Sequence, residues 1–168
     1  MAYVEENLLD GEEIRYRARL HRKILVAPLV AVTLGVILIV PPIARFTHVL
    51  PPLGFEHEDE ILLGLLGLGG LLLLFGVLAL ITRSIRYRTS EFAVTSRRVL
   101  VKVGFLRRYT VELWLGKIEG ISVDQPVLGR ILDYGTIVIT GTGGTREIFR
   151  DIADPLELRR RVQASVPG

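Results

Sequence analysis

Residues 61–82 read ILLGLLGLGGLLLLFGVLALIT, and no charged side chain interrupts them. Between Ile61 and Ile81, 15 residues are Leu, Ile, Phe or Val. Each favours insertion by roughly 0.3–0.6 kcal/mol at the centre of a bilayer, about 4–9 kcal/mol in all before the glycines are discounted. A second uncharged run, Ile24 to Ala44, precedes it. As a helix rising roughly 1.5 Å per residue, each run reaches about 31 Å, which matches a hydrocarbon core of roughly 30 Å. In a chain of 168 residues, too little protein remains to bury two such helices in a soluble core. The reading is therefore two transmembrane helices, 24–44 and 61–82, joined by an external loop, 45–60.

Working outward, the mean hydropathy of +0.42 is too apolar for an ordinary soluble domain, while 23% charged residues is too many for a chain wholly in lipid. The two properties must be segregated. No cysteine is present, so disulfides, thiolate catalysis and Cys-based zinc sites are excluded together. The first span follows a mixed-charge segment, Glu5 to Lys23, and is too long for a cleaved signal peptide, so it is expected to stay in the mature protein.

Arg15, Arg17, Arg19, Arg22 and Lys23 precede the first span, and Arg83, Arg86, Arg88, Arg97 and Arg98 follow the second. The connecting loop has one basic residue, Arg45, against Glu56, Glu58, Asp59 and Glu60. Lys and Arg near short loops are retained in the cytoplasm, so the chain is expected to be a multi-pass protein of the inner (plasma) membrane with both termini cytoplasmic. Ala27, Ala31 and Gly35 recur every four residues on the first helix, and Gly69 and Gly76 share a face of the second. Small residues permit close backbone approach, so these faces are expected to pack as a hairpin or against a second copy. No ionisable residue lies within either span, which argues against a proton relay, ion pathway or transporter.

Beyond the second span the pattern changes to short β-branched segments separated by turn residues. Strands are expected at Ile85 to Thr95, Arg98 to Gly104, Leu106 to Leu115, Gly120 to Asp124, Gly135 to Thr140 and Arg146 to Asp151. Val99, Val101 and Val103 share one face, with Lys102 on the other. Asp154-Pro155-Leu156-Glu157 reads as an N-cap, a proline at the first helical position and a capping-box glutamate. Leu158, Val162 and Val166 then form the apolar face of a closing helix. Before the first span, Ile14, Tyr16, Ala18 and Leu20 alternate with arginines; this short strand suits either the sheet edge or anionic headgroups.

The chain resembles the bacterial pleckstrin-homology-like family of small membrane proteins (the bPH2 or DUF304 type). The resemblance rests on Gly11-Glu12 and His21, then Phe92-Ala93-Val94-Thr95-Ser96-Arg97-Arg98-Val99, Gly104-Phe105-Leu106 and Leu115-Gly116-Lys117-Ile118-Glu119. It continues through Gly129-Arg130-Ile131-Leu132-Asp133-Tyr134-Gly135-Thr136 and Asp154-Pro155. It implies a bent seven-stranded PH-like barrel or sandwich capped by a C-terminal helix, so the fold class is α+β: an N-terminal juxtamembrane segment (1–23), a transmembrane hairpin (24–82) and a cytoplasmic PH-like domain (83–168). Relatives often carry Asp in a Thr-Asp-Arg-Arg run where this chain has Ser96. A shared fold does not carry a ligand with it.

Chemical motifs are sparse. Gly141 to Thr145 lacks the Gly-Lys-Ser/Thr of a phosphate loop and lies between strands, so it reads as a hairpin turn. His48, His57, Glu56, Glu58 and Asp59 lack the regular spacing of a metal site. No catalytic residue, metal or cofactor is assigned. The basic set Arg83, Arg86, Arg88, Arg97, Arg98, Lys102, Arg107, Arg108 and Lys117 suits an anionic leaflet, each charge contributing roughly 1 kcal/mol within a Debye length; it reads either as a lipid contact or as ordinary positive-inside charge. Few aromatics interleave it, so nucleic acid is a poor fit. Two functions follow as expectations. One is a membrane-tethered scaffold or oligomerisation module meeting other membrane proteins or a second copy, through an exposed sheet edge or through Trp114 and Tyr109. The other is a lipid-sensing module using Arg97, Arg98, Lys102, Arg107 and Arg108.

Overall fold

The computed structural model describes residues 3–51, 54, 57–104 and 109–166. The chain divides into two units, one of Met1–Arg22 with Ile85–Gly168 and the other Lys23–Ser84.

The second unit is helical. Helix α2 spans Val26–Phe46, and α3, which starts in this unit, spans Glu58–Thr89. Both are long and apolar enough to cross a membrane. They reach beyond the uncharged runs: Arg45 lies in the last turn of α2, and Glu58, Asp59 and Glu60 form the first turn of α3. Each charge sits at the helix end whose dipole it complements. Arg45 and Glu58, expected in the loop, instead form an ion pair of 2.9 Å with Glu58 largely buried. Arg83 donates to the Ile24 carbonyl at the other end of the hairpin.

The helices approach closely at glycines. A Cβ at Gly35 would lie 2.8 Å from the Leu73 nitrogen, one at Gly69 2.7 Å from Ile39, and one at Gly76 2.9 Å from the Val32 nitrogen. Ala27 does not share this face. It is exposed, and the buried positions of α2 are Pro28, Gly35 and Pro42, spaced by seven and facing Leu62, Gly69 and Gly76 of α3. A four-residue repeat drifts around a helix, whereas a seven-residue repeat stays on the seam.

Among the described residues, the first unit carries seven strands in two antiparallel sheets. One is ordered β1 (Ile14–Ala18), β2 (Glu91–Thr95), β3 (Arg98–Val103), β4 (Tyr109–Trp114), and the other β5 (Ile118–Asp124), β6 (Tyr134–Gly141), β7 (Arg146–Ala153). The segment Ile14–Ala18 is thus an edge strand, hydrogen-bonded to β2 with Ala18 opposite Phe92. The barrel does not close. The chain beyond β1 meets β7 through a single bridge, Leu20 to Ile152, flanked by bonds from the His21 and Ala153 amides to the Asp151 and Arg19 carbonyls.

The expected strand at 85–95 is helix as far as Thr89. Ile85, Tyr87 and Thr89 alternate with arginines like a strand, but an existing helix adds residues without a new nucleation cost. The short helix α1 (Tyr3–Glu6) places Val4 against Ala93 and Leu100, so β2 and β3 are buried on both faces. Between the sheets lie Val94, Val101, Leu115, Ile137, Ile139 and Ile152, with Phe92 edge-to-face on Phe149.

Helix α5 (Pro155–Ser165) buries Leu158 and Val162, while Val166 falls just past its end. Asp154 is the N-cap residue, yet its side chain makes no capping bond and its backbone is left-handed (φ 47°). Glu157 pairs with Arg160 and Arg161 in place of a capping box. The Gly141–Thr145 segment is a hairpin turn whose Gly141, Thr142 and Gly144 amides all donate to backbone carbonyls, leaving these donors engaged rather than open to an anion.

Candidate functional site

The two strands flanking the helical hairpin are sheet neighbours, so the chain leaves the sheet after β1 and returns at β2 at the same end. That end also holds Lys102, opposite Glu91, and Tyr109, opposite Val103. The other end holds the Thr95–Arg98 turn and Trp114, opposite Arg98. Six residues of β3 at roughly 3.3 Å each put about 17 Å between the ends.

This separation divides the basic set read from the sequence. Arg83 belongs to the helical hairpin; Arg86 and Arg88, both exposed, and Lys102 lie at the tethered end; Arg97, Arg98 and Trp114 lie at the far end. Arg107 and Arg108 fall outside the described residues. Lys117 is exposed in the short turn between β4 and β5.

Arg98 is not a surface contact. It is 5% exposed and its guanidinium is held by Glu12, whose side chain is wholly buried. Nε donates to Glu12 Oε1 at 3.0 Å and Nη2 to Oε2 at 2.9 Å, while Nη2 also donates to the Asn7 carbonyl and Nη1 to Glu112. The Thr95 hydroxyl and the Leu9 amide also donate to the Glu12 carboxylate. Burial alone raises a carboxyl pKa, but the Arg98, Leu9 and Thr95 hydrogen bonds and the Arg98 charge outweigh it and hold Glu12 at about 2. Arg98 is raised by the same carboxylate.

This network ties Gly11-Glu12 to the Thr95-Ser96-Arg97-Arg98 run, two motifs that are far apart in sequence. Gly11 turns with φ +72° to present Glu12. The Ser96 hydroxyl accepts from the Glu13 amide, a bond for which a carboxylate acceptor would also serve.

At the tethered end Arg17, Arg19 and Arg88 share a cleft of about 310 Å³ with Tyr87, Ser90 and Glu91. Arg17 is paired to Glu5 at 2.6 Å, and Glu91 accepts the Val4 amide. Lys102 stands 5.1 Å from the Tyr3 ring centroid. Arg86 lines a separate pocket of about 140 Å³ with Tyr109 and Arg150. The Tyr109 hydroxyl donates to Glu147, which pushes its pKa up. Trp114 is 44% exposed and stacks near Arg98. The arginines of the cleft were legible as charges only; that Arg19 and Arg88 share a cavity depends on β1 pairing with β2 across the hairpin. Among the described residues, no three His, Asp or Glu side chains gather as a metal-holding group.

No curated protein and no solved structure matches the chain. The family model described as Bacterial PH domain matches residues 52–166, from the loop before α3 to the end of α5. With about two-thirds of its length matched, and with two antiparallel sheets and a C-terminal helix behind that match, the chain belongs to the bacterial PH domain family.

Proposed function

We propose that this protein is a membrane-anchored, non-enzymatic interaction module: a PH-like scaffold at the cytoplasmic face of the inner membrane that assembles with a second copy or with other membrane proteins. The observation that carries it is the insertion of an apolar hairpin between two hydrogen-bonded strands, β1 and β2. An anchor placed there restrains the sheet from two covalent connections, whereas a terminal anchor would leave one flexible joint. The apolar surface of the helices supports the anchor: Leu63, Leu71, Leu74 and Phe75 are each more than half exposed. Trp114 and Arg97, both exposed at the sheet end away from the tether, are candidate partner contacts.

Crosslinking followed by native mass spectrometry of the intact protein in lipid nanodiscs tests the reading. A defined oligomer or a retained membrane protein is expected; isolated monomers alone would count against it. A tag after Gly168 that reacts with an impermeant reagent on intact cells would overturn the orientation.

A second reading, recognition of anionic headgroups, is favoured by the cleft where Arg19 and Arg88 meet. It predicts that anionic lipid retained by the protein in native mass spectrometry falls when both are changed to Gln. Equal retention would remove it.

A further inference from the structure

Between β5 and β6 the chain forms a five-residue helix, α4 (Val127–Ile131), that carries the most exposed aliphatic cluster of the PH-like unit. Val127 is 76% exposed, Leu128 62%, Ile131 70% and Leu132 52%. At one hundred degrees per residue these positions fall on one side of a helix, and Gly129 on the opposite side is buried. Gly129 lies so close to the sheet that a Cβ would meet the Tyr134 carbonyl at 2.5 Å. The Gln125 side chain bonds the Gly129 and Tyr134 carbonyls, and Asp133 turns the chain back with φ 52°. The aliphatic side chains are therefore held outward by a braced turn. A patch of this kind on a soluble face marks an interaction surface.

Its place in the domain selects the occupant. Tyr134, which closes the turn, stacks on His21 with ring centroids 5.3 Å apart, and His21 is two residues ahead of Lys23, where the helical unit begins. Arg22 and Lys23 directly follow His21 in the chain, and Arg130 lies within α4 itself. An aliphatic ridge with basic flanks, next to the point where the chain departs for an apolar hairpin, suits the interface of an anionic bilayer, as amphipathic surface helices do. The tether also keeps that surface at high effective concentration, an advantage no diffusing protein shares. We infer that Val127, Leu128, Ile131 and Leu132 insert into the headgroup–acyl boundary as a further membrane contact of the domain. This rests on the anchoring read above.

The absence of cysteine permits single-site labelling of the full chain. Ile131→Cys, Thr142→Cys at the opposite end of β6, and Leu71→Cys within α3 are each coupled to an environment-sensitive fluorophore. Each protein is placed in nanodiscs of phosphatidylcholine and phosphatidylglycerol, with or without bromine-labelled acyl chains. Blue-shifted emission that brominated lipid quenches is expected at Leu71 and Ile131, with neither effect at Thr142. Quenching at Leu71 but not at Ile131 overturns the α4 contact and leaves the anchor standing. No quenching at Leu71 overturns the anchor and this inference with it. A blue shift at Ile131 that bromine leaves unchanged means that protein covers the ridge, and the lipid contact is wrong.

Discussion

Glu12 is a carboxylate with no solvent access, and its stability contribution depends on staying charged. Removing one partner of a buried pair strands the other charge, which costs roughly 3–5 kcal/mol. Arg98 keeps Glu112 in the Glu12→Gln variant, so the expected loss is about 3 kcal/mol at neutral pH, read by denaturant unfolding in detergent. Glu112 is 41% exposed, and Glu112→Gln is expected to cost about 1 kcal/mol or less. The pH dependence has a definite sign. The folded pKa of about 2 lies below the ordinary 4.5, so the stabilisation is complete above about 4.5 and is lost as pH falls toward 2. That window accounts for about 3 kcal/mol in the native chain, and Glu12→Gln should flatten it. At this scale the sequence displays charge but not burial. Arg98 read as part of a surface cluster because its neighbour Arg97 is also basic, while its partner lies 86 positions away.

Elements were legible where one residue pattern met one environment. Strands β3 to β7 and helix α5 fall close to where alternation and turn residues put them, because each has an apolar face turned to the core and a polar one turned away, or a clear stop on either side. Alternation failed at Ile85–Thr89, where a helix already under way continues to Thr89, and the hydroxyl of Ser90 just beyond it bonds back to the Arg86 carbonyl. It also understated β2 and β3, whose second face is covered by α1, a four-residue helix too short to announce itself. The glycines of α2 and α3 offer a test at this scale, since they look alike in sequence and differ in surroundings. A Cβ at Gly35 or Gly69 meets the facing helix at 3.0 Å or less, whereas one at Gly64 or Gly67 meets nothing within 4 Å. Gly35→Ala and Gly69→Ala are expected to cost about 1–3 kcal/mol as the helices are pushed apart. Gly64→Ala and Gly67→Ala should be neutral or gain up to about 1 kcal/mol from helix propensity. Circular dichroism of the protein titrated from mild detergent into dodecyl sulfate would rank them. Equal midpoints for all four would refute the packed seam.

For the whole molecule, the linear division into a leader segment, a hairpin and a C-terminal domain does not match how the sheet is built. Strand β1 comes from the leader and pairs with β2 across the entire hairpin, and Glu12 from the same leader neutralises Arg98. The alternation at Ile14–Leu20 allowed a sheet-edge strand but not its partner, since a pairing between Ala18 and Phe92 leaves no trace in the intervening sequence. It has a direct consequence for which fragments fold. A chain beginning at Arg83 retains β2 to β7 but lacks β1, leaves β2 as an open edge and leaves Arg98 with Glu112 but without Glu12. Such a fragment is expected to be insoluble or molten, with poor dispersion of its amide NMR signals. A chain in which residues 24–88 are replaced by a short Gly/Ser turn keeps both strands and the ion pair. Adjacent antiparallel strands need only a short connection, and a shorter loop lowers the entropy of closure. That excised form should be soluble, fold cooperatively and still show the acid-sensitive window set by Glu12. If the fragment from Arg83 folded as well as the excised form, β1 and Glu12 would be dispensable. The sheet would then be complete without the leader, and the hairpin's place between two paired strands would carry no structural weight.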